Sequence, residues 1–142
     1  MRTSRPNKTN YYLSIAKGIA ARSTCLRRQY GAVIVKNDAI VSTGYNGAAR
    51  GVANCCDIGE CWREEHGVPH GEQYEKCQGV HAEANAIINA SREEMEGATL
   101  YLAGFDNGKV IDAPRPCEMC NRLIRNSGIK YVVTKPETED DD

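Results

Sequence analysis

Four residues of this sequence are of the types that hold a catalytic metal and move a proton: His81, Glu83, Cys117 and Cys120, set in His81-Ala82-Glu83 and Pro116-Cys117-Glu118-Met119-Cys120. A neutral imidazole and two thiolates supply three of the four tetrahedral positions of Zn²⁺, and a three-ligand site keeps the fourth open to water, as catalytic zinc requires. Glu83 stands two residues from the imidazole and is the natural proton carrier beside that water. Taken singly, these features have plainer uses. A Glu in the first turn of a helix often serves as a capping partner, and a Cys-x-x-Cys serves equally as a redox pair or as part of a structural zinc site. Taken together, with a Pro just before the cysteines, they favour a catalytic zinc.

Two helix starts must bring these residues together. After Gly79-Val80, the run His81 to Ser91 carries Ala84, Ala86, Ile87, Ile88 and Ala90 without a breaker, which predicts a buried helix whose first turn holds His81 and Glu83. Pro116 suits a first helical position, with Cys117 and Cys120 one turn apart at the start of a helix that runs to Asn126 and stops near Gly128. Helix N-termini favour negative charge, which helps both thiols deprotonate and become ligands.

The rest of the chain reads as a scaffold for those two helices. Residues 1 to 8 form a frayed lead-in, and Tyr12, Ile15, Ala16, Ile19 and Ala20 mark an amphipathic helix from Thr9 to about Ser23. Tyr30 to Lys36 and Ala39 to Gly44 are β-branched segments joined at Asn37-Asp38, the form of a hairpin. Ala98 to Ala103 reads as a third strand, Gly104 to Arg115 as a polar loop with a turn at Asp106-Asn107-Gly108, and Lys130 to Thr134 as a fourth strand. The acidic stretch Glu137 to Asp142 reads as a disordered tail. Alternating strands and helices predict a largely mixed or parallel sheet covered by helices, and 142 residues fit one domain, 1–142.

Composition excludes several classes. A formal net charge of −1 argues against a general nucleic-acid binder, and no apolar run approaches membrane-spanning length. The first residues lack the apolar segment of a secretory signal, and seven cysteines beside a zinc pattern point to a reducing cytoplasm without disulfides. The long segment from Ala48 to Val80 needs something to hold it, because ordering backbone costs about 1–2 kcal/mol per residue. A second, structural zinc held by Cys25, Cys55, Cys61 and Cys77 would do so, with Cys56, His66 or His70 as substitutes; the plainer reading is buried thiols and surface histidines without metal. Arg27 and Arg28 are either a solvated pair or a clamp on a phosphate, and Arg50 and Arg115 also flank the site segments. Asn46-Gly47, at the end of the second strand, is either turn chemistry or part of the site.

Taken in order, Arg22-Ser23-Thr24-Cys25, Tyr30-Gly31-Ala32-Val33-Ile34-Val35, Gly44-Tyr45-Asn46-Gly47, His81-Ala82-Glu83-Ala84-Asn85-Ala86-Ile87 and Pro116-Cys117-x-x-Cys120 resemble the deoxycytidylate deaminase family over residues 10 to 134. The His-x-Glu and Pro-Cys-x-x-Cys pair alone marks the zinc nucleobase deaminases. The resemblance implies a three-layer α/β/α sandwich of the cytidine deaminase type, with a mixed sheet of four or five strands. It carries a sugar-contacting role onto Asn46, sets Ala82 among the substrate contacts, and fits the second zinc at Cys25 and the loop cysteines. It also implies a homo-oligomer regulated by dCTP and dTTP, with Mg²⁺ accompanying an allosteric nucleotide. The Gly104 to Arg115 stretch is longer than the family's usual passage into Pro-Cys, so it should border the active site, with Arg115 as a phosphate candidate. The expected activity is hydrolysis of dCMP to dUMP and ammonia, with Glu83 as acid and base. The alternatives are a deaminase of another nucleoside, modified base or nucleic acid, and a zinc-stabilised nucleotide-binding module without turnover.

Overall fold

The computed structural model describes residues 2, 4–52, 54 and 79–138. In chain order these form helix α1 (Lys8–Ala20), strands β1 (Arg28–Lys36), β2 (Ala39–Tyr45), β3 (Gly47–Ala48) and β4 (Gly79–Val80), helices α2 (Ala82–Ile88) and α3 (Arg92–Met95), strands β5 (Thr99–Asp106) and β6 (Lys109–Val110), helix α4 (Glu118–Ser127) and strand β7 (Tyr131–Val133). Strand β1 runs antiparallel to β2 on one side and to β5 on the other, while β5 also pairs antiparallel with β6 and parallel with β7. The sheet is therefore five-stranded and mixed, with more antiparallel pairing than strand–helix alternation suggests. The crossover from β2 through α2 does return β5 in the direction of β2, but β1 lies between them, so the neighbours it creates are antiparallel. Only the β5–α4–β7 crossover ends beside its starting strand.

Strand β1 shows why the sheet is covered twice. Ala32 and Ile34 join Ala82, Ala86, Leu100, Leu102 and Ile124 in one buried cluster, whereas Val33 and Val35 join Tyr12, Ala16 and Ala103 in another. Side chains alternate across a strand, so a continuous apolar run buries both faces, α1 on one and α2 with α4 on the other. This is the three-layer α/β/α arrangement expected from the sequence.

Several boundaries differ from the sequence reading. The Asn37-Asp38 turn is present, with both residues at positive φ (53° and 57°) as a two-residue hairpin turn needs. Helix α1 starts one residue early, on an Asn7 cap, and ends at Ala20. The run from His81 to Ser91 is not one helix: α2 stops at Ile88, and Ser91 opens α3 with a capping box to Glu94. Gly104 to Arg115 is not a loop throughout, because β5 continues to Asp106, turns at Asn107-Gly108 and returns as β6. Gly104 hides the strand pattern there; a Cβ on it would lie 2.5 Å from the Tyr30 ring, which occupies that space. Glu137 is no free tail: its backbone N–H donates to Asn10 Oδ1 and its carbonyl accepts from Asn10 Nδ2, both at 2.8 Å. No helix among the described residues is long and apolar enough to cross a membrane.

Candidate active site

Helix α2 is held tightly on β2. A Cβ on Gly44 would fall 2.3 Å from the Ala86 backbone nitrogen and 2.5 Å from the Ala82 carbonyl oxygen, so only glycine lets the helix approach this closely. Ser42 Oγ donates to the Ala86 carbonyl at 2.8 Å, and the side chains of Asn85 and Asn89 donate to the carbonyls of Tyr45 and Thr43 at 2.8 and 3.0 Å. The N-terminus of α2 is thereby fixed at the end of β2, facing the start of α4 across the same side of the sheet.

The two helices begin on the predicted ligands. His81 is the N-cap of α2, extended at φ −69° and ψ 153°, and its side chain makes no capping bond. Cys117 is the N-cap of α4, with Pro116 one residue before it, outside the first helical position the sequence suggested. His81 Nδ1 lies 3.5 Å from Cys117 Sγ and 3.3 Å from Cys120 Sγ. Tetrahedral bonds of about 2.3 Å to sulfur and about 2.0–2.1 Å to nitrogen place such atoms about 3.5 Å apart, so this donor set fits Zn²⁺ in spacing as well as in chemistry. His81, Cys117 and Cys120 are the one such ligand group among the described residues.

Glu83 sits beside this group at 5% exposure. Burial pushes its carboxyl up, against the opposing effect of hydrogen bonds from its own backbone N–H and from the Cys120 thiol. The Cys120 thiol is pushed up as well, by burial first and then by the charges of Glu83 and Cys117. A divalent cation among these groups reverses the balance for sulfur, since a coordinating thiol is deprotonated outright. A buried carboxyl that holds its proton more firmly than usual is the kind of group that can serve as both acid and base.

The other candidate residues are placed as follows. Asn46 leaves β2 half-buried, with its Oδ1 accepting the Tyr30 N–H at 2.8 Å and its Nδ2 donating to the Arg28 carbonyl at 2.9 Å. Its side chain therefore braces the start of β1. Ala82, the first residue of α2, is fully buried in the core. Arg27 is half-buried and Arg115 exposed, while Arg28 is engaged with Asp106 at 3.2 Å. Cys25 is half-buried, its carbonyl accepting from Gln29 Nε2 at 2.7 Å. Cys55, Cys56, Cys61, His66, His70 and Cys77 lie outside the described residues. Sequence reasoning passed over Asn85, although an Asn inside a helix, four residues before another at the helix end, is a sign of side chains kept for bonds elsewhere.

The family described as the cytidine and deoxycytidylate deaminase zinc-binding region matches residues 6–135. The chain belongs to this family. A deoxycytidylate deaminase of Mycobacterium phage D29 is 41% identical over 140 residues, which are 95% of this chain and 99% of that one. A deoxycytidylate deaminase of Schizosaccharomyces pombe is 35% identical over 130 residues, 91% of this chain and 37% of the relative, so this chain spans well under half of that protein. The dCMP deaminase of cyanophage S-TIM5, solved in apo form, superposes with a TM-score of 0.65 and 27% identity, covering 95% of this chain and 87% of that one. The fold is thus of the cytidine deaminase type, and zinc is the metal of the family.

Proposed function

We propose that this chain is a zinc-dependent hydrolase that converts dCMP and water to dUMP and ammonia. The observation that carries this reading is the convergence of His81, Cys117 and Cys120 on one point with the buried Glu83 carboxyl at Cys120. The deoxycytidylate deaminases it is similar to support the choice of nucleotide. His81, Cys117 and Cys120 would hold the zinc, which would supply Lewis acidity and lower the pKa of a water to about 7. Glu83 takes one proton from the attacking water and passes it to N3 of the cytosine ring, then takes the second from the new C4 hydroxyl, which becomes the carbonyl, and passes it to the departing amine. A C4–O bond forms, the C4–N4 bond breaks, and ammonia leaves.

Substrate contacts belong to the same proposal. Asn46 and Ala82 border the sugar and ring, and Arg27 and Arg115 serve the phosphate. With its bonds to Tyr30 and Arg28 made, the Asn46 amide retains, by its donor and acceptor count among the described residues, one N–H and one lone pair for a ligand. Cys25 with Cys55, Cys61 and Cys77 is the set we assign to a second, structural zinc, and the enzyme is read as a cytoplasmic homo-oligomer responsive to dCTP and dTTP, the effector accompanied by Mg²⁺. The arginines are chosen for charge and position, and the cysteine set and compartment for the cysteine content, while the Asn46 and Ala82 contacts, the oligomer and the effectors rest on family resemblance.

Ammonia release from dCMP and from deoxycytidine tests the assignment. Charge-assisted bonds to the phosphate are worth about 1.5–3 kcal/mol each, so dCMP should exceed deoxycytidine by at least about a hundredfold in kcat/KM. Equal rates would overturn the nucleotide assignment, and no release from either would overturn the deaminase.

A further inference from the structure

Asn85 lies one turn into α2, its backbone N–H closing the first helical bond to the His81 carbonyl at 3.0 Å. Its side-chain nitrogen carries two hydrogens and faces two carbonyls, Tyr45 at 2.8 Å and Val80 at 3.5 Å. The first belongs to the peptide that leads into Asn46; the second belongs to the peptide that leads into His81. One carboxamide therefore ties together the end of β2, the residue before the histidine and the turn of helix that carries Glu83. Asn is a poor residue inside a helix, because its side chain competes for backbone groups. Here the side chain is directed away from its own helix to a strand end.

We propose that Asn85 is a positioning residue: by gripping the Tyr45 and Val80 carbonyls it fixes the angle at which His81 and Glu83 enter the site. This rests on the deaminase reading for its catalytic consequence, but the geometry it claims concerns the ligand group itself. Asn89 is a natural comparator. It makes the same kind of bond from the same helix to the same strand, Nδ2 to the Thr43 carbonyl at 3.0 Å, yet it is exposed and stands at the far end of α2. A role in merely fastening the helix predicts the same outcome for both residues. A positioning role separates them.

The test uses the zinc-loaded full chain. Residues that orient metal ligands change metal affinity or activity by about 10–100-fold when removed, so Asn85→Ala should release zinc to a chelator about tenfold faster than wild type and lose kcat by a similar factor, with KM little changed. Asn89→Ala should lower the melting temperature comparably while keeping wild-type zinc release and kcat. Asn85→Asp, which keeps the shape and removes the donated hydrogens, is made in parallel in case the alanine variant fails to fold, and it should behave as Asn85→Ala. Zinc release and kcat in the folded Asn85 variant equal to those of Asn89→Ala would overturn the inference. If wild type turns over no dCMP, the proposed function falls, and the zinc-release comparison still decides the role of Asn85.

Discussion

At the start of α1 the Asn7 carboxamide accepts the Asn10 N–H at 2.8 Å, and at the start of α3 Ser91 and Glu94 exchange two bonds, whereas α2 starts on a histidine with no capping bond and α4 on a cysteine whose sulfur takes the Cys120 N–H at 3.4 Å. A good N-cap is worth about 1 kcal/mol. Helices α1 and α3 have one, whereas α2 has none and α4 only a long bond to sulfur, and both begin on candidate zinc ligands. Local stability and ligand placement compete for the same position, and at the site the ligand has prevailed.

The two faces of the sheet differ in a similar way. Beneath α1, Tyr12 is buried but donates to Asp38 Oδ1 at 2.7 Å, and Asp38 also pairs with Lys8. Beneath α2, Glu83 is equally buried and has its carboxyl turned to Cys120. One buried acid closes a structural contact, and the other faces the candidate metal ligands.

Exchanging a ligand for a good cap should give the largest effect. Cys117→Ser should lose zinc and at least about a hundredfold in turnover, yet its metal-free form should be as stable as metal-free wild type or up to about 1 kcal/mol more so, because Ser is a preferred N-cap. Chemical denaturation of both metal-free proteins, with metal analysis, checks this; a clearly less stable variant would break the comparison.

A base titration sharpens the comparison of faces. Burial first, and then the Asp38 hydrogen bond, raise the Tyr12 pKa from 10.0 to about 12. An acid whose folded pKa is raised leaves stability intact below its unfolded value and loses it as pH climbs towards the folded one. Between pH 10 and 12 the protein should therefore lose about 1–3 kcal/mol that Tyr12→Phe does not lose. Parallel slopes for the two proteins in that window would show that Tyr12 is not held in its neutral form.

The smallest effect belongs to the ordinary cap. Asn7→Ala should cost about 1 kcal/mol in denaturation experiments and leave the kcat of the folded enzyme unchanged. A loss of turnover beyond the unfolded fraction would mean that α1 is coupled to the site.

The helices, the hairpin and the metal group were legible because each rests on local information: apolar spacing, an Asn-Asp turn, and ligands at helix starts. What escaped depends on contacts distant in sequence. Gly104 looks like a break in a strand, but it is glycine because the Tyr30 ring covers it. Asn85 and Asn89 are unusual helix residues, but nothing local names their partners, which are on a strand some forty positions earlier. The acidic end suggested a solvated tail, yet Asn10 holds the backbone of Glu137, which charge cannot reveal. Asn46 illustrates a different gap: its place at a strand end pointed to the site, while its two bonds to β1 show a side chain that also braces the strand.

The most direct measurement is dCMP turnover by zinc-loaded Glu83→Gln, with metal content determined on the same sample. Gln keeps the size and a hydrogen-bonding group but cannot carry the proton, so zinc should stay at the wild-type level while kcat falls at least about a hundredfold. Near-normal turnover with zinc retained would contradict Glu83 as the proton carrier of the site.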